Sequence, residues 1–336
     1  MPLSKNLKRV LVAIIGIIVS AFIWHINRNI FGNVIRTCII LSTTTFLLIY
    51  VPFEIYFLIR TIWYDRWKDL RSDKIKMFKM YIPIDERKEH GYIVANIISS
   101  QEQRAQKRKS IIIISHGYSD TKETLEYLYV PLALQGYTIL AYDARGSGES
   151  KRLGKRNQFL ERIEDYRKIL DWIQEQNAFK GFNIYAIGFS IGAIIAISAG
   201  FTENRVKKII AISCISQYKK NIAIFNPVIL IGYILRGIPL FPTEKQDRKL
   251  SPYKIFEKQK STISQSEFDR LTHRIYLVHS KNDSVIKFKN FRENSTILNI
   301  PKENTLLFKR GGHTMKKNEL ALVGGILRFL NKKLLI

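Results

Sequence analysis

From residue 75 onward, short runs rich in β-branched residues alternate with longer amphipathic stretches. The short runs predict eight strands, at 76–82, 92–98, 111–115, 137–142, 182–187, 206–213, 274–278 and 305–308. The longer stretches predict helices at 121–135, 158–177, 191–202 and 318–331. Strands that alternate with helices form crossover units, in which helices cover both faces of a mostly parallel sheet. A short polar turn, 85–90, joins the first two strands and predicts an antiparallel pair at the sheet edge. Residues 75–333 are therefore expected to form one α/β domain.

One stretch, 216–270, interrupts this alternation. It contains an apolar segment that Pro227, Arg236 and Pro239 break, so the uninterrupted part is limited to residues 228–235. A helix that crosses a bilayer needs roughly 17–25 apolar residues, and this segment is too short. Residues 216–270 are expected to form a cap inserted into the domain.

Two apolar runs precede the domain, at residues 10–26 and 37–59. His25 is the only ionisable residue of the first run, and Glu54 carries the only charge of the second. Both runs reach the length of a membrane-spanning helix. No small-x-small cleavage site follows the first run, which favours a two-helix anchor over a cleaved signal peptide. Residues 1–60 are thus predicted to be a membrane anchor and residues 61–74 a basic juxtamembrane linker.

The chain is strongly basic, with 54 Lys and Arg against 28 Asp and Glu and a net charge of +26. Such a charge is typical of proteins with an anionic partner, although a lysine-rich composition accounts for it equally well. A nucleic-acid partner is not expected, because no zinc finger, aromatic ribonucleoprotein motif or helix-turn-helix pattern accompanies the charge. The two cysteines are too few for a disulfide scaffold.

Basic residues are denser before the first apolar run and after the second than between the two. The positive-inside rule then places both ends of the hairpin, and with them the α/β domain, in the cytoplasm. The segment 61–80 is basic and aromatic. It is expected either to lie along an anionic lipid leaflet or to form a solvated linker helix.

The strongest chemical motif is Gly188-Phe189-Ser190-Ile191-Gly192, which follows a predicted strand and opens a predicted helix. A serine in this context is typical of a nucleophile elbow. Side chains at positions 188 and 192 would clash where the strand and the helix pass closely. Serine is a weak nucleophile, so it requires a base and a group that orients the base.

Of the six histidines, His313 follows a strand end and a glycine pair and precedes the last helix, where it could reach over the strand ends. Asp283 lies in the loop after strand 274–278 and is the expected acid. The order serine, aspartate, histidine is the one associated with the elbow motif. Asp143 is the alternative acid, but it precedes the serine, and the neighbouring Arg145 indicates a structural ion pair.

An oxyanion that develops on the substrate needs two backbone N–H donors aimed at it. The N–H of Ile191, directly after the serine, is the first candidate. Tyr118, in the loop after the third strand, is the second, and His116 is expected to brace this loop.

Together these residues resemble the α/β-hydrolase superfamily: His116-Gly117, the sequence DARGSGES at 143–150, the serine motif, Asp283 and Gly311-Gly312-His313. The pattern is most similar to the serine aminopeptidase and monoacylglycerol lipase-like branch, which includes membrane-anchored Bem46-like members. The resemblance implies an eight-stranded sheet with a small helical cap, hydrolysis through an acyl-enzyme, and no metal or organic cofactor. One departure is Ser280, since relatives often carry glycine there.

The sequence thus predicts a membrane-anchored serine hydrolase that cleaves carboxylic esters. The anchor, the apolar cap and the basic surface favour a lipid-like ester such as a monoacylglycerol or a lysophospholipid. The alternatives are a serine peptidase or aminopeptidase, and a catalytically silent, membrane-tethered interaction module on the same scaffold.

Overall fold

The computed structural model describes residues 5–63, 73–85, 89–101, 108–221, 233–234 and 237–332. The chain divides into two compact units, Met1–Asp65 and Arg66–Ile336. Most of the predicted linker 61–74, and with it much of the segment 61–80, lies outside the described residues. The same holds for most of the apolar cap segment 228–235.

The N-terminal unit is a pair of apolar helices. Helix α1, Lys5–His25, continues into a π-helical turn, Ile26–Ile30, and α2 spans Ile35–Trp63. Both helices are long and apolar enough to cross a membrane. Arg9 and Glu54 form an ion pair at 2.6 Å, so the only charge of the second apolar run is paired within the hairpin.

The second unit contains one eight-stranded sheet in the order β1-β2-β4-β3-β5-β6-β7-β8. The strands are β1 Ile75–Pro83, β2 Tyr92–Ser100, β3 Ser110–Ser115, β4 Thr138–Tyr142, β5 Asn183–Phe189, β6 Val206–Ile212, β7 Ile275–Ser280 and β8 Thr305–Phe308. All eight predicted strands are confirmed, and no bound differs by more than two residues. The pairs β1-β2 and β2-β4 are antiparallel and the other pairs are parallel.

The direction of the strands decides where the loops gather. Two successive antiparallel pairings make β1 run in the same direction as β4, so its first residue, Ile75, lies at the amino edge of the sheet. The loops that follow β3 to β8 all leave from the opposite, carboxyl edge. In open α/β sheets this carboxyl edge is where ligands bind.

Eight helices accompany the described part of the sheet. They are α3 Glu126–Leu134, α4 Phe159–Glu175, α5 Ile191–Gly200, α6 Glu244–Leu250, α7 Pro252–Thr262, α8 Gln265–His273, α9 Lys289–Leu298 and α10 Glu319–Asn331. Side chains of α4 to α9 belong to the core on one face of the sheet, and side chains of α3 and α10 to the core on the other. Because both faces are covered, the inner strands are apolar throughout, as the buried sequence SIIIIS of β3 illustrates. Helices α6 and α7 and the first part of α8 lie within 216–270, the segment predicted as the cap.

Candidate active site

The turn between β5 and α5 carries Ser190 in a strained conformation, with φ 55° and ψ −116°. A residue with a side chain rarely adopts a positive φ, and such outliers cluster at functional sites. A Cβ at Gly188 would lie 2.4 Å from Cα of Ala193, and one at Gly192 would lie 2.1 Å from the carbonyl oxygen of Ser115. The glycines therefore allow the backbones to meet, and the turn presents Ser190 at the carboxyl edge.

Asp283 and His313 are brought together although 30 positions separate them. Nδ1 of His313 lies 2.8 Å from Oδ2 of Asp283, and both side chains are buried. The other carboxylate oxygen accepts hydrogen bonds from the N–H groups of Val285 at 2.8 Å and Ile286 at 2.9 Å. Burial alone would raise the pKa of Asp283, but His313 and the backbone donors outweigh it and hold the pKa below its usual value. An ionised carboxylate only accepts, so the proton is on Nδ1 and Nε2 is left as an acceptor.

The imidazole of His313 lies beside the serine turn. Its ring centroid is 5.0 Å from that of Phe189, the residue before Ser190. The hydroxyl of Ser213, at the end of β6, donates to the carbonyl oxygen of His313 at 3.0 Å. Ser213 is itself buried with φ 51°. Sequence reasoning missed this contact, because nothing distinguishes Ser213 from other serines at strand ends.

Asn282 links the loop of the aspartate to the loop of the histidine. Its Oδ1 accepts from the N–H of Gly312 at 2.9 Å and from the hydroxyl of Ser280 at 2.7 Å. Ser280 stands where relatives often carry glycine, and its hydroxyl is used in this link. The departure from the family pattern therefore leaves the Asp283–His313 contact intact.

A second buried histidine, His279, lies near the aspartate. Its Nε2 is 3.9 Å from Oδ2 of Asp283 and 3.0 Å from the carbonyl oxygen of Ile286. Burial lowers the pKa of His279, although the charge of Asp283 acts in the opposite direction. A neutral His279 donates to Ile286 and helps to fix the loop that presents the aspartate.

The loop after β3 is braced by His116, as predicted. Its Nδ1 donates to the carbonyl oxygen of Gly117 at 2.6 Å, and its Nε2 accepts from the N–H of Ala144 at 2.9 Å. Burial, assisted by the charge of Arg162, lowers the pKa of His116 to about 4. The imidazole is therefore neutral at pH 7 and bridges the loops that follow β3 and β4.

The two predicted oxyanion donors lie in segments that touch. Tyr118 follows the braced Gly117, whose N–H donates to Asp120 at 3.1 Å. Ile191 begins α5, and the next residue, Gly192, packs against the backbone of Ser115. The structure thus brings the residues just before Tyr118, Ser115 to Gly117, against Phe189 and the start of α5.

Asp143, the alternative acid, is held in a different contact. Its carboxylate accepts from Nζ of Lys122 at 2.7 Å and from the N–H groups of Lys122 and Glu149, each at 2.9 Å. The prediction of a structural ion pair holds, but the expected partner was wrong, because Arg145 forms a bidentate pair with Asp165. Lys122 lies 21 positions away, on another loop, and no local pattern reveals it.

One group of carboxylates has the spacing of a metal site. Oxygens of Glu123, Asp143 and Glu149 lie within 4.8 Å of one another. The ammonium group of Lys122 contacts all three at 2.6–2.8 Å and is buried. These carboxylates raise the pKa of Lys122 well above its usual value, despite its burial. The lysine supplies the positive charge that a cation would bring.

Comparison with known proteins agrees with this architecture. Residues 106–260 match the family model described as serine aminopeptidase, S33. No curated protein matches the chain at a significant level. An esterase from Pyrococcus furiosus is 17% identical, with a TM-score of 0.52, over 81% of this chain and 98% of its own.

Two further solved structures are similar. Acylaminoacyl peptidase from Pyrococcus horikoshii is 17% identical with a TM-score of 0.55, over 78% of this chain and 42% of that chain. This chain therefore spans less than half of the peptidase. A 2,6-dihydroxy-pseudo-oxynicotine hydrolase is 14% identical with a TM-score of 0.54, over 76% of this chain and 68% of its own. The sheet order, the flanking helices and these similarities together show that the chain has the α/β-hydrolase fold, with a serine aminopeptidase-like region at residues 106–260.

Proposed function

We propose that the protein is a serine hydrolase that cleaves carboxylic esters through an acyl-enzyme, with Ser190, His313 and Asp283 as its catalytic triad. The observation that carries the proposal is the buried 2.8 Å contact between Asp283 and His313, beside the strained turn of Ser190. A structural histidine needs no ionised partner aligned in this way.

The roles follow from the hydrogen bonds. Asp283 holds the proton on Nδ1 of His313, so Nε2 is the base that takes the proton from the hydroxyl of Ser190. The serine oxygen attacks the ester carbonyl, and the negative charge on the carbonyl oxygen is stabilised by the N–H groups of Ile191 and Tyr118. His313 returns its proton to the leaving alkoxide. Water, activated by the same histidine, then hydrolyses the acyl-enzyme and restores Ser190.

The proposed substrate is lipid-like, such as a monoacylglycerol or a lysophospholipid. Half-buried apolar side chains pack on the core near the carboxyl edge: Tyr118, Ile238, Ile286 and Phe288. Tyr118 follows the oxyanion loop, and Ile286 and Phe288 follow the aspartate. Apolar side chains at these positions suit an acyl chain.

The proposed location is the membrane, with α1 and α2 as the anchor, both chain ends on the cytoplasmic side and the basic segment 61–80 on an anionic leaflet. The Arg9–Glu54 pair supports the anchor, because charged residues inside membranes are normally paired with one another. We expect the full chain to stay in the membrane pellet after an alkaline carbonate wash. Release by that wash would contradict the proposal that α1 and α2 anchor the chain in the membrane.

A fluorophosphonate probe tests the catalytic assignment, because it reacts covalently with activated serines. The detergent-solubilised full chain should be labelled, whereas Ser190→Ala and His313→Ala should not. Ser261→Ala, in the exposed part of α7, is the matched control and should be labelled like wild type. Labelling of Ser190→Ala, or no labelling of folded wild type, would contradict the assignment.

Substrate class is tested separately with glycerol monoesters of increasing acyl length in mixed micelles, beside aminoacyl amides of matched size. A lipid-like preference predicts that kcat/KM rises with acyl length and exceeds the value for the amides. Faster turnover of short water-soluble esters would refute the lipid assignment. Faster turnover of the amides would favour the peptidase alternative. The similarity to acylaminoacyl peptidase is the reason for choosing aminoacyl amides.

A further inference from the structure

The segment between β4 and α4, together with the first turn of α4, contains four arginines, and three of them, Arg145, Arg156 and Arg162, have unequal partners. Arg145 forms a bidentate ion pair with Asp165. Arg156 donates to a carbonyl oxygen, that of Gly146 at 3.3 Å. Arg162 donates to the carbonyl oxygens of Arg145 at 3.3 Å and Arg156 at 2.7 Å. Within the described part of the chain, neither Arg156 nor Arg162 has a carboxylate in ion-pair contact.

Arg162 is only 2% exposed, and its Nε–H has no hydrogen-bond partner among the described residues. Burial lowers the pKa of Arg162 to about 10, and the charge of Arg156 acts in the same direction. The guanidinium still carries its charge at neutral pH. The charge of Asp165 acts on Arg162 from a distance, but Asp165 is itself bound by Arg145. A buried charge without a carboxylate in contact is unfavourable, so this position favours an additional anion nearby.

The two guanidinium groups lie against a row of aromatic rings that starts at the oxyanion loop. The ring centroids of Tyr118 and Phe159 are 5.9 Å apart, and those of Phe159 and Tyr218 are 6.1 Å apart. Cζ of Arg156 is 6.0 Å from the ring of Tyr118, and Cζ of Arg162 is 5.6 Å from the ring of Phe159. The positive charge is thus next to the residue assigned as the second oxyanion donor.

The same position is in contact with the cap. The side-chain amide of Asn157, next to Arg156, donates to the carbonyl oxygen of Gly237. Tyr218 is the member of the aromatic row that belongs to the cap segment, and it is 7% exposed. Its hydroxyl has no hydrogen-bond partner among the described residues. Two buried polar groups next to Phe159, the hydroxyl of Tyr218 and Nε of Arg162, therefore have no hydrogen-bond partner among the described residues.

We propose that the preferred substrate carries an anionic oxygen group, a carboxylate or a phosphate, that pairs with Arg156 beside the ring of Tyr118. This proposal rests on the hydrolase function proposed above and names its substrate class. Arg156 is half-buried and contacts the anionic group. The buried Arg162 adds positive potential from the adjacent first turn of α4. Charge-assisted hydrogen bonds of guanidinium to such anions are among the strongest in proteins.

The first test compares anionic with neutral esters of the same acyl length. One arm uses a monoacylglycerol 3-phosphate against the monoacylglycerol in neutral mixed micelles. A second arm uses a soluble 4-nitrophenyl hemisuccinate against 4-nitrophenyl butyrate, which separates an anion on the acyl group from one on the lipid headgroup. In at least one arm, wild type should prefer the anionic ester by about tenfold in kcat/KM.

Arg156→Gln should lower this preference by about tenfold, mainly through KM, and Arg156→Lys should retain part of it. The matched control is Arg152→Gln, an exposed arginine of the same segment that contacts His90, and it should leave the preference unchanged. Equal use of anionic and neutral esters by wild type in both arms would overturn the proposal. An equal loss for both esters in Arg156→Gln would also overturn it, because a merely structural role lowers both.

A binding measurement keeps this proposal separate from the hydrolase function. A non-cleavable 1-O-alkyl glycerol 3-phosphate should bind the full-length Ser190→Ala protein at least tenfold more tightly than the alkyl glycerol does, and Arg156→Gln should abolish the difference. Equal affinities would refute the anion site even if esters are hydrolysed. Failure of fluorophosphonate labelling would refute the hydrolase and leave this binding result to decide the anion site.

Discussion

His116 couples the stability of the domain to pH, and the replacement His116→Gln measures that coupling. In the folded protein burial holds the pKa of His116 at about 4, against 6.5 for an ordinary histidine. At 1.36 kcal/mol per pH unit, this difference corresponds to about 3 kcal/mol. Protonation would also turn Nε2, which now accepts from the N–H of Ala144, into a donor that faces a donor.

The sign follows from proton binding. Between pH 6.5 and 4 the unfolded chain binds a proton at His116 that the folded chain does not, so acid favours unfolding. The stabilisation that the neutral His116 contributes to folding is fully present above pH 6.5 and is lost as the pH falls toward 4. Wild type should therefore lose about 3 kcal/mol more unfolding free energy between pH 7 and pH 4 than His116→Gln does.

The assay is denaturant unfolding of the full chain in detergent, followed by aromatic fluorescence at pH 8, 7, 5.5 and 4. Between pH 8 and 7 the two proteins should change equally, because His116 is neutral in both states. If wild type and His116→Gln lost the same free energy between pH 7 and 4, the buried neutral imidazole would be the wrong description.

Three further substitutions test separate parts of the structure. Asp283→Asn should lower kcat by about 10⁴-fold with little change in thermal unfolding, because His313 loses the anion that fixes its tautomer. A loss of less than tenfold in ester hydrolysis would count against the Asp283–His313 pair. Lys122→Met should lower the free energy of unfolding by about 3–5 kcal/mol, measured with denaturant, since Asp143 is left as a buried charge. The double variant Lys122→Met/Asp143→Asn should regain part of this loss, and additive losses would contradict the ion pair. Ser190→Gly should be about 1 kcal/mol more stable than Ser190→Ala, because glycine relieves the positive φ; equal melting would mean that the turn stores no strain.

The strands and helices could be predicted because their periodicities differ and the buried strands are continuous apolar runs. The serine turn could be predicted because a close backbone approach imposes glycine at fixed offsets, and Gly188 and Gly192 meet that requirement. Asp283 and His313 could be proposed because each follows a predicted strand and the order serine, aspartate, histidine fits the elbow motif. The structure brings them together because β7 and β8 are neighbours in the sheet.

The contacts between loops could not be predicted from the sequence. Asp143 pairs with Lys122 rather than with the adjacent Arg145, since the register of β3 against β4 brings two distant loops together. Ser213 holds the carbonyl of His313 across 100 positions, and its positive φ has no compositional signal. Charge pairing and side-chain direction depend on the assembled sheet, which a local pattern does not encode.

The position of β1 has a practical consequence for removing the N-terminal helices. The polypeptide that arrives from α2 enters the sheet at Ile75, at the amino edge, and β1 then runs toward the edge that presents Ser190. Its eight residue steps, at about 3.3 Å each, place Ile75 roughly 26 Å along the strand from the carboxyl end of β1. A cut just before Ile75 would spare every strand, so a released domain would keep the complete sheet.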